Sequence, residues 1–313
     1  MSRRSALPTL GGAAVGGAVL GTAIANLAGG LGPRVFGVST TGTSPASADH
    51  ARRIGTELGR TVDVVSLFDA WEWRNPFPTA AVTAIREMGS TPEITWEPWH
   101  PARGAEQGDY RLDALTDHET YVREWARAAA GSGGDLLLRF GHEMNSDWYP
   151  WAVTVNGGSP DAFVEGWRWL HGVFAEEGAT NVRWVWCPNI VHRDRVDLLA
   201  ACYPGSDVVD VTAVDGYSAS EYGTAHLSPE EVFGPTFAAV DEIDDSKPLW
   251  INETGCAPGP GKTDWITGLV DYLSTTRVSG LVWFEIDNAG KPDWRLTSTP
   301  ATTVTARHAL RIW

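Results

Sequence analysis

Two glutamates, Glu143 and Glu253, lie in similar sequence surroundings and together could cleave a glycosidic bond. Glu143 lies in Leu-Leu-Leu-Arg-Phe-Gly-His-Glu-Met-Asn (136–145), and Glu253 lies in Pro-Leu-Trp-Ile-Asn-Glu-Thr-Gly (248–255). In each segment an apolar run, typical of a strand buried on both faces, ends close to the glutamate. Two carboxylates in one cleft are the minimum for glycoside hydrolysis, since one protonates the leaving oxygen and the other attacks or stabilises the anomeric carbon. One such glutamate alone would more simply end a strand in an ion pair, so it is the matched contexts that favour catalysis.

Eight apolar runs alternate with helical patterns along the chain, which predicts an α/β fold of the (β/α)8 TIM-barrel type. The predicted strands are 34–38, 62–67, 93–97, 136–141, 182–187, 208–214, 248–252 and 280–286. The clearest helix begins at Ser159, a predicted N-cap followed by Pro160, and another spans 116–130. Glu143 then follows the fourth strand and Glu253 the seventh, at the carboxyl-terminal mouth where barrel enzymes do their chemistry. A doubly wound open sheet is the alternative, disfavoured because no Gly-x-Gly-x-x-Gly follows the first strand.

Composition limits the class of protein and its partners. The chain has 313 residues, 43% of them hydrophobic, which fits one barrel of about 250 residues behind an export segment. The net charge of −15 argues against nucleic acid or an anionic membrane as a partner. Sixteen tryptophans suit a carbohydrate cleft, because aromatic faces stack on sugar rings, although most large aromatic side chains pack in cores.

Residues 1–28 stand apart from the rest of the chain. Arg3 and Arg4 precede a weakly apolar Gly/Ala-rich run, which resembles a twin-arginine export signal, and Ala23-Ile24-Ala25 offers a cleavage site. A transmembrane anchor is the weaker alternative because the run is rich in glycine. We therefore expect a secreted, monomeric protein with no membrane partner after export, whose single barrel domain spans 29–313.

Neither the cysteines nor the histidines show the spacing of a metal site. Cys187, Cys202 and Cys256 are an odd number, and one disulfide is possible, with Cys187 and Cys202 the closest in sequence. After His142-Glu143, a zinc motif would need a second histidine where Ser146 stands. We expect no metal and no cofactor.

Several segments together resemble glycoside hydrolase family 26. The stretch from Arg139 to Trp151, Arg-Phe-Gly-His-Glu-Met-Asn-Ser-Asp-Trp-Tyr-Pro-Trp, is similar to the family's acid/base motif. Asp215-Gly-Tyr217, Ile-Asn-Glu253-Thr-Gly and Val-Trp283-Phe match in order and spacing, and the resemblance covers about 34–313. It implies a retaining endo-glycanase with catalytic glutamates on the fourth and seventh strands.

The resemblance also implies roles for the polar residues around the two glutamates. Glu143 is the expected general acid/base and Glu253 the expected nucleophile, with Tyr217 hydrogen-bonded to it. Arg139 is expected beneath the nucleophile, where an ordinary barrel ion pair is the alternative. His142 is expected to contact the sugar near the cleavage point. Asp215, beside Tyr217, is an expected substrate contact, and a turn-capping role before the following glycine is equally open.

Aromatic side chains are the expected sugar platforms. Trp283 matches the floor under the sugar being cleaved, although as a strand residue it could also lie in the core. Trp148 and Trp151 are expected to bind sugar rings on the leaving-group side. The end of the third strand is expected to build the glycone side, with the candidate contacts Trp96, Glu97 and Trp99.

These features predict a retaining endo-β-glycanase that hydrolyses polysaccharide by double displacement, with β-mannan as the first expectation. Phe140 stands where mannanases of the family usually carry proline, and Tyr149-Pro150 replaces further aromatics, so mixed-linkage β-1,3-1,4-glucan is the close alternative. A non-catalytic carbohydrate-binding barrel would be missing a carboxylate, and both are present. A structural exported shell protein would have no reason to keep aromatic residues around a cleft.

Overall fold

The chain folds into a closed barrel of eight parallel strands that pair in chain order, with the last strand back on the first. The computed structural model describes residues 34–104, 112–191, 196–288 and 290–313, so the predicted export segment 1–28 lies outside it. The strands are β1 (Val35–Thr40), β2 (Val64–Ala70), β3 (Thr91–Glu97), β4 (Leu136–Phe140), β5 (Val182–Trp186), β6 (Val211–Ser218), β7 (Leu249–Cys256) and β8 (Val278–Trp283). The predicted TIM-barrel fold is confirmed.

One α-helix follows each strand in the described part of the chain. The helices are α1 (Ala46–Leu58), α2 (Thr79–Glu87), α3 (Glu119–Gly131), α4 (Pro160–Glu176), α5 (Val196–Ala201), α6 (Pro229–Ile243), α7 (Lys262–Ser274) and α8 (Pro300–Ala309). The Ser159 hydroxyl accepts a hydrogen bond of 3.1 Å from the backbone N–H of Ala162, which confirms the predicted N-cap of α4. No helix of the described residues is long and apolar enough to span a membrane.

Strand alternation divides the core into two layers. Side chains that point inward, such as Val282, fill the barrel, whereas their neighbours Leu281 and Trp283 pack outward against the helices. Trp250 occupies the interior opposite Gly280, where an added Cβ would lie only 2.3 Å from the indole ring. This alternation decides which residues at the strand ends can reach the cleft.

The observed strand ends differ from the predicted ones most at β6 and β7. Both run further than expected, so Asp215 and Glu253 lie within strands, paired with each other across a register shift that follows Val214. The possible Cys187–Cys202 disulfide is wrong: Cys187 packs inside the barrel, Cys202 packs in the outer layer, and both thiols are free.

Candidate active site

Glu253 on β7 lies at the carboxyl-terminal mouth of the barrel, between two hydrogen-bond donors. The Tyr217 hydroxyl on β6 donates to Oε2 at 2.6 Å, and the Arg139 guanidinium on β4 donates to Oε1. An opposite charge and hydrogen bonds to the ionised form both favour a carboxylate. Both contacts therefore stabilise the carboxylate form of this side chain, the form that a nucleophile requires.

Arg139 is completely buried beneath this carboxylate and is held from several sides. It donates to Asp215 at 2.6 Å, and its Nε and Nη2 donate to the Thr95 hydroxyl at 2.9 and 2.8 Å. Burial acts to lower the pKa of Arg139, but the Asp215 and Glu253 carboxylates raise it well above its usual value. The guanidinium is thus a fixed positive charge at the base of the site.

Asp215 takes part in this network but not in the cleft. It is fully buried, and it accepts hydrogen bonds from Arg139 and from the Cys187 thiol, at 3.0 Å. Both expectations for Asp215, a substrate contact and a turn cap, are wrong, because strand β6 continues through it and its carboxyl group is buried against Arg139. Its contacts make it a positioning group for Arg139.

Glu143 follows β4 in a left-handed backbone conformation, with φ of 53°. This conformation is uncommon outside glycine, and non-glycine residues that adopt it cluster at functional sites. The backbone N–H of Glu143 donates to the Cys187 carbonyl at 2.7 Å, and its carboxyl oxygens accept from Trp148 Nε1 and Asn189 Nδ2, each at 2.6 Å.

The environments of the two glutamates differ in the way that acid and nucleophile chemistry needs. Burial, and secondarily the negative charge of Glu253, raises the pKa of Glu143 to about 7. Glu143 therefore holds a proton close to neutrality, whereas Glu253 is stabilised as an anion by Arg139 and Tyr217.

His142 connects Glu253 to an aromatic layer. Its Nε2 lies 3.1 Å from the Tyr149 hydroxyl and 3.9 Å from Glu253 Oε1. Burial, and then the charge of Arg139, lowers the pKa of His142 well below its usual value, so the ring is neutral. His142 thus lies beside Glu253, and its contact with the sugar near the cleavage point stays a prediction.

Of the two tryptophans expected on the leaving-group side, only Trp148 is accessible. Trp148 is 45% exposed and holds Glu143 by its indole N–H. Trp151 is 2% exposed, donates to the His142 carbonyl at 2.7 Å, and stacks on Tyr149 with the rings 4.2 Å apart. The sugar-platform role expected of Trp151 is wrong, and its contacts are those of a support for His142 and Tyr149.

The cleft positions expected for Trp283 and Trp96 are also wrong. Trp283 is 2% exposed and faces outward, where its ring packs edge-on to Trp265 of α7 and its N–H donates to the Trp294 carbonyl. Trp96 is buried and stacks on Trp125 of α3 with the rings 4.4 Å apart. Both side chains point outward from their strands, toward the helices, and therefore do not line the cleft.

Glu97 and Trp99 do lie together at the end of β3. The Trp99 indole N–H donates to Glu97 Oε2 at 3.3 Å, and its ring meets that of Tyr149 edge-on at 5.2 Å. Burial raises the pKa of Glu97 to about 8, and the charges of Glu253 and Glu143 act in the same direction. A third carboxyl group, neutral at pH 7, therefore faces the site.

Tyr217 also belongs to an aromatic wall beside Glu253, and the sequence reasoning missed the other four members of this wall. Its rings form a chain with neighbouring centroids 4.8 to 6.2 Å apart, in the order Phe68, Phe284, Tyr217, Trp294 and Tyr222. Strand alternation would predict Phe284 in the cleft only if Trp283, which it directly follows, were known to face outward. Asn189, also missed, is the polar residue two positions after the interior Cys187.

Three groups of the site also have the composition of a metal site. Donor atoms of His142, Asp215 and Glu253 lie within 4.8 Å of one another. Arg139 already donates to both of these carboxylates, so the positive charge that a metal would bring is supplied by the guanidinium. The set is better described as an ion-pair network.

Comparison with known proteins identifies the family. Residues 91–249 match the family profile described as glycosyl hydrolase family 26. Endoglucanase H of Acetivibrio thermocellus is 30% identical over 284 residues, 86% of this chain and 29% of that protein. Mannan endo-1,4-beta-mannosidase A and B of Caldalkalibacillus mannanilyticus is 33% identical over 33% of this chain and 22% of that protein. The chain thus spans less than a third of either relative.

Solved structures share the fold at lower identity. The catalytic domain of a Bacillus sp. JAMB-750 GH26 endo-beta-1,4-mannanase has a TM-score of 0.69 at 13% identity, with 89% of this chain and 86% of that chain covered. A GH26 beta-mannanase from Bacteroides ovatus has a TM-score of 0.65 at 18% identity, with 89% and 88% covered. The barrel, the paired glutamates and a family profile over half of the chain agree: this chain belongs to glycosyl hydrolase family 26.

Proposed function

We propose that this chain is an endo-acting hydrolase of a β-linked polysaccharide that retains the anomeric configuration. The observation that carries the proposal is the contrast in contacts: Glu143 accepts only from the neutral donors Trp148 and Asn189, and burial raises its pKa to about 7. Glu253 accepts from the charged Arg139 and from Tyr217. A retaining mechanism requires this division between a protonated acid and an ionised nucleophile.

In the first step Glu253 attacks the anomeric carbon while Glu143 gives its proton to the glycosidic oxygen. The bond between this carbon and oxygen breaks, the leaving chain departs as an alcohol, and an ester to Glu253 forms. Trp148 and Asn189 hold the Glu143 carboxyl, and they stabilise the charge it acquires as the proton leaves.

In the second step Glu143, now a carboxylate, removes a proton from water. The water oxygen attacks the same carbon and releases Glu253 as a carboxylate, so that two inversions give net retention. Arg139 and Tyr217 stabilise the released charge, because their contacts to Glu253 are fixed before the reaction.

The surroundings of the pair divide into two sides of a cleft. Trp148, exposed beside the acid, faces the leaving group. The half-buried rings of Phe68, Phe284 and Tyr217 and the exposed Tyr222, together with Glu97 and Trp99, are available to the sugar that Glu253 attacks. Trp294 is buried behind them and supports the wall. Sugar rings present apolar faces to aromatic rings and hydroxyl groups to a neutral carboxyl group, so these residues suit a chain of hexoses.

We propose a β-1,4-mannan as the first substrate, since two curated relatives are named mannan endo-1,4-beta-mannosidases. The second candidate is a β-glucan. The observation that supports a β-glucan is that Endoglucanase H matches 86% of this chain, against 33% and 50% for the mannosidases. Trp148, Trp151 and Trp283 in one row would have favoured a straight β-1,4 backbone. Because Trp151 and Trp283 are buried, they cannot form such a row of sugar platforms.

A polysaccharide panel tests the function and chooses between these substrates. Reducing ends would be measured on mannan, glucomannan, mixed-linkage β-glucan and β-1,4-glucan, with Glu253→Ala as the matched inactive control. We expect release from at least one polymer by the unmodified chain and at least a 1,000-fold lower rate with the variant, about 4 kcal/mol of transition-state stabilisation. No release from any polymer would favour a non-catalytic carbohydrate-binding barrel instead.

The kcat/KM ratio between glucomannan and mixed-linkage β-glucan then decides the preferred backbone, because it measures differential binding of the two transition states. Faster cleavage of the mixed-linkage polymer would overturn the mannan proposal and leave the roles of Glu143 and Glu253 in place.

We also propose that the protein is exported, because polymeric β-glycans are too large to enter a cell. Residues 1–28 would direct a fused reporter out of the cell, and replacing Arg3 and Arg4 by lysine would abolish that export. Export that is unaffected by the double replacement would contradict a twin-arginine route.

A further inference from the structure

A polar pair lies inside the barrel, one layer below the ion-pair network. Glu93 on β3 and Asn252 on β7 are both completely buried, and Asn252 directly precedes Glu253. The Asn252 Nδ2 donates to Glu93 Oε1 at 2.8 Å across the barrel. This bond ties the strand that carries the nucleophile to the opposite side of the interior.

Each member of the pair leaves one acceptor without a donor. Glu93 Oε2 and Asn252 Oδ1 are buried and have no hydrogen-bond partner. A buried acceptor without a donor costs about 1–3 kcal/mol, and a buried carboxylate costs more. A primary amide and a carboxylic acid are complementary, because each offers one donor and one acceptor side by side. A proton on Glu93 Oε2 would turn this oxygen into a donor to Asn252 Oδ1, and both atoms would then have a hydrogen-bond partner.

We propose that Glu93 is a neutral carboxylic acid, paired with the Asn252 amide, and that this acid–amide pair positions Glu253. The inference rests on the proposed role of Glu253 as the nucleophile. It makes Glu93 a positioning residue, since it acts on the reaction through its neighbour and touches no reacting atom.

Burial is the main influence that favours a neutral Glu93. Arg139 faces it from β4, Glu253 from β7, and the Ser66 hydroxyl from β2. Burial raises the pKa of Glu93 and Glu253 adds to this, whereas the charge of Arg139 and the hydrogen bonds of Ser66 and Asn252 oppose it. Arg139 already contacts two carboxylates, so ionising Glu93 would place a third negative charge around one cation. A neutral Glu93 leaves the positive charge of Arg139 to Asp215 and Glu253.

Paired variants of Glu93 separate positioning from charge. Glu93→Ala removes the pair, and we expect kcat to fall about tenfold or more with KM changed less than about twofold, because the nucleophile is displaced but the cleft is kept. Glu93→Gln keeps a neutral group that can bond both sides of Asn252, so we expect it to recover kcat to within about threefold of the unmodified chain. If Glu93→Gln is as impaired as Glu93→Ala, the charge of Glu93 matters and the inference is wrong.

Infrared difference spectroscopy gives a readout that does not depend on activity. The unmodified chain minus Glu93→Gln should show the C=O stretch of a protonated carboxyl group at neutral pH, and a carboxylate band instead would overturn the inference. Glu285→Gln is the matched control, because its buried carboxylate accepts from the backbone N–H groups of Leu296 and Thr297 and from the Thr297 hydroxyl. We expect that control to lower the Tm, whereas Glu93→Gln does not.

These measurements distinguish failure of the pair from failure of the proposed function. A chain that hydrolyses no glycan but shows the protonated band refutes the function and keeps the pair. An active chain without the band refutes the pair alone.

Discussion

At the scale of single residues, the proposed function depends on the proton held by Glu143. Burial and the charge of Glu253 raise its pKa, and the hydrogen bonds from Trp148 and Asn189 oppose that rise. Glu143 must be protonated to act as the acid. A glutamate with the ordinary pKa would be almost fully ionised at neutral pH. By excluding water from the carboxyl group, the site raises the pKa of Glu143.

The pH dependence of kcat/KM follows from this pKa. Activity on a polymeric substrate should fall as the pH rises through about 7, because the free enzyme then loses the acid proton. The profile is measured from initial rates across the pH range. A kcat/KM that stays constant well above pH 7 would show that Glu143 does not supply the proton.

Trp148→Phe tests the hydrogen bond to Glu143 without removing the ring. The indole N–H stabilises the ionised carboxyl, so its loss should raise the pKa of Glu143 and move the alkaline limb to higher pH. Trp99→Phe is the matched control, because that indole donates to Glu97 instead. A limb that stays in place in Trp148→Phe, or that moves equally in both variants, would contradict the assignment.

At the scale of strands and helices, the order of the elements was predictable from the sequence. Which side chains of each strand point into the barrel, and which point toward the helices, was not. Hydrophobic runs marked all eight strands, and Ser159-Pro160 marked the start of α4. In a parallel barrel both faces of a strand are buried, so the residues show no polar alternation that tells inward from outward. For this reason the sequence predicts cleft positions for Trp96 and Trp283, although both face the helices.

The partners of the catalytic glutamates were predictable for a different reason. Arg139 lies in the Glu143 motif and Tyr217 in the Asp215-Gly-Tyr217 motif, so the motif resemblance predicted both positions, and both side chains contact Glu253. Phe68, Asn189 and the acid–amide pair depend on register between strands. Nothing in the local sequence shows which side chains meet across the interior.

Gly280→Ala tests the packing inside the barrel. An added Cβ would lie 2.3 Å from the Trp250 ring, and overpacking a core of this kind costs about 1–3 kcal/mol. We expect a lower denaturant midpoint at an unchanged slope. Gly268→Ala in α7 is the matched control, with no contact closer than 3.9 Å, and should be neutral or stabilising by up to about 1 kcal/mol. Equal stability of the two variants would contradict the described packing of Trp250.

At the scale of the whole molecule, the barrel concentrates carboxyl groups at one end and balances them with a single buried guanidinium. Glu143, Glu253, Glu97 and Asp215 surround Arg139, in a chain with a net charge of −15. Such an excess is tolerated because burial keeps Glu97 and Glu143 protonated near neutrality. Folding and catalysis are therefore coupled to the same protons.

This coupling predicts how stability depends on pH. Glu97 has a folded-state pKa of about 8 against an ordinary value of 4.5, so its contribution is fully present below about pH 4.5 and is lost as the pH rises through 8. Across that range the Tm of Glu97→Gln should fall less than that of the unmodified chain, because the amide cannot ionise. Parallel Tm curves for the two proteins would show that Glu97 is not held protonated.

The most direct test of the central claim is chemical rescue of Glu253→Ala with azide. The variant should be almost inactive on an aryl β-glycoside with a good leaving group, and azide should restore turnover by occupying the space of the lost carboxylate and attacking the anomeric carbon. NMR of the product should show a glycosyl azide of inverted, α configuration, which identifies Glu253 as the nucleophile. A Glu253→Ala variant that keeps at least a tenth of the original kcat, or an azide product of β configuration, would contradict the account.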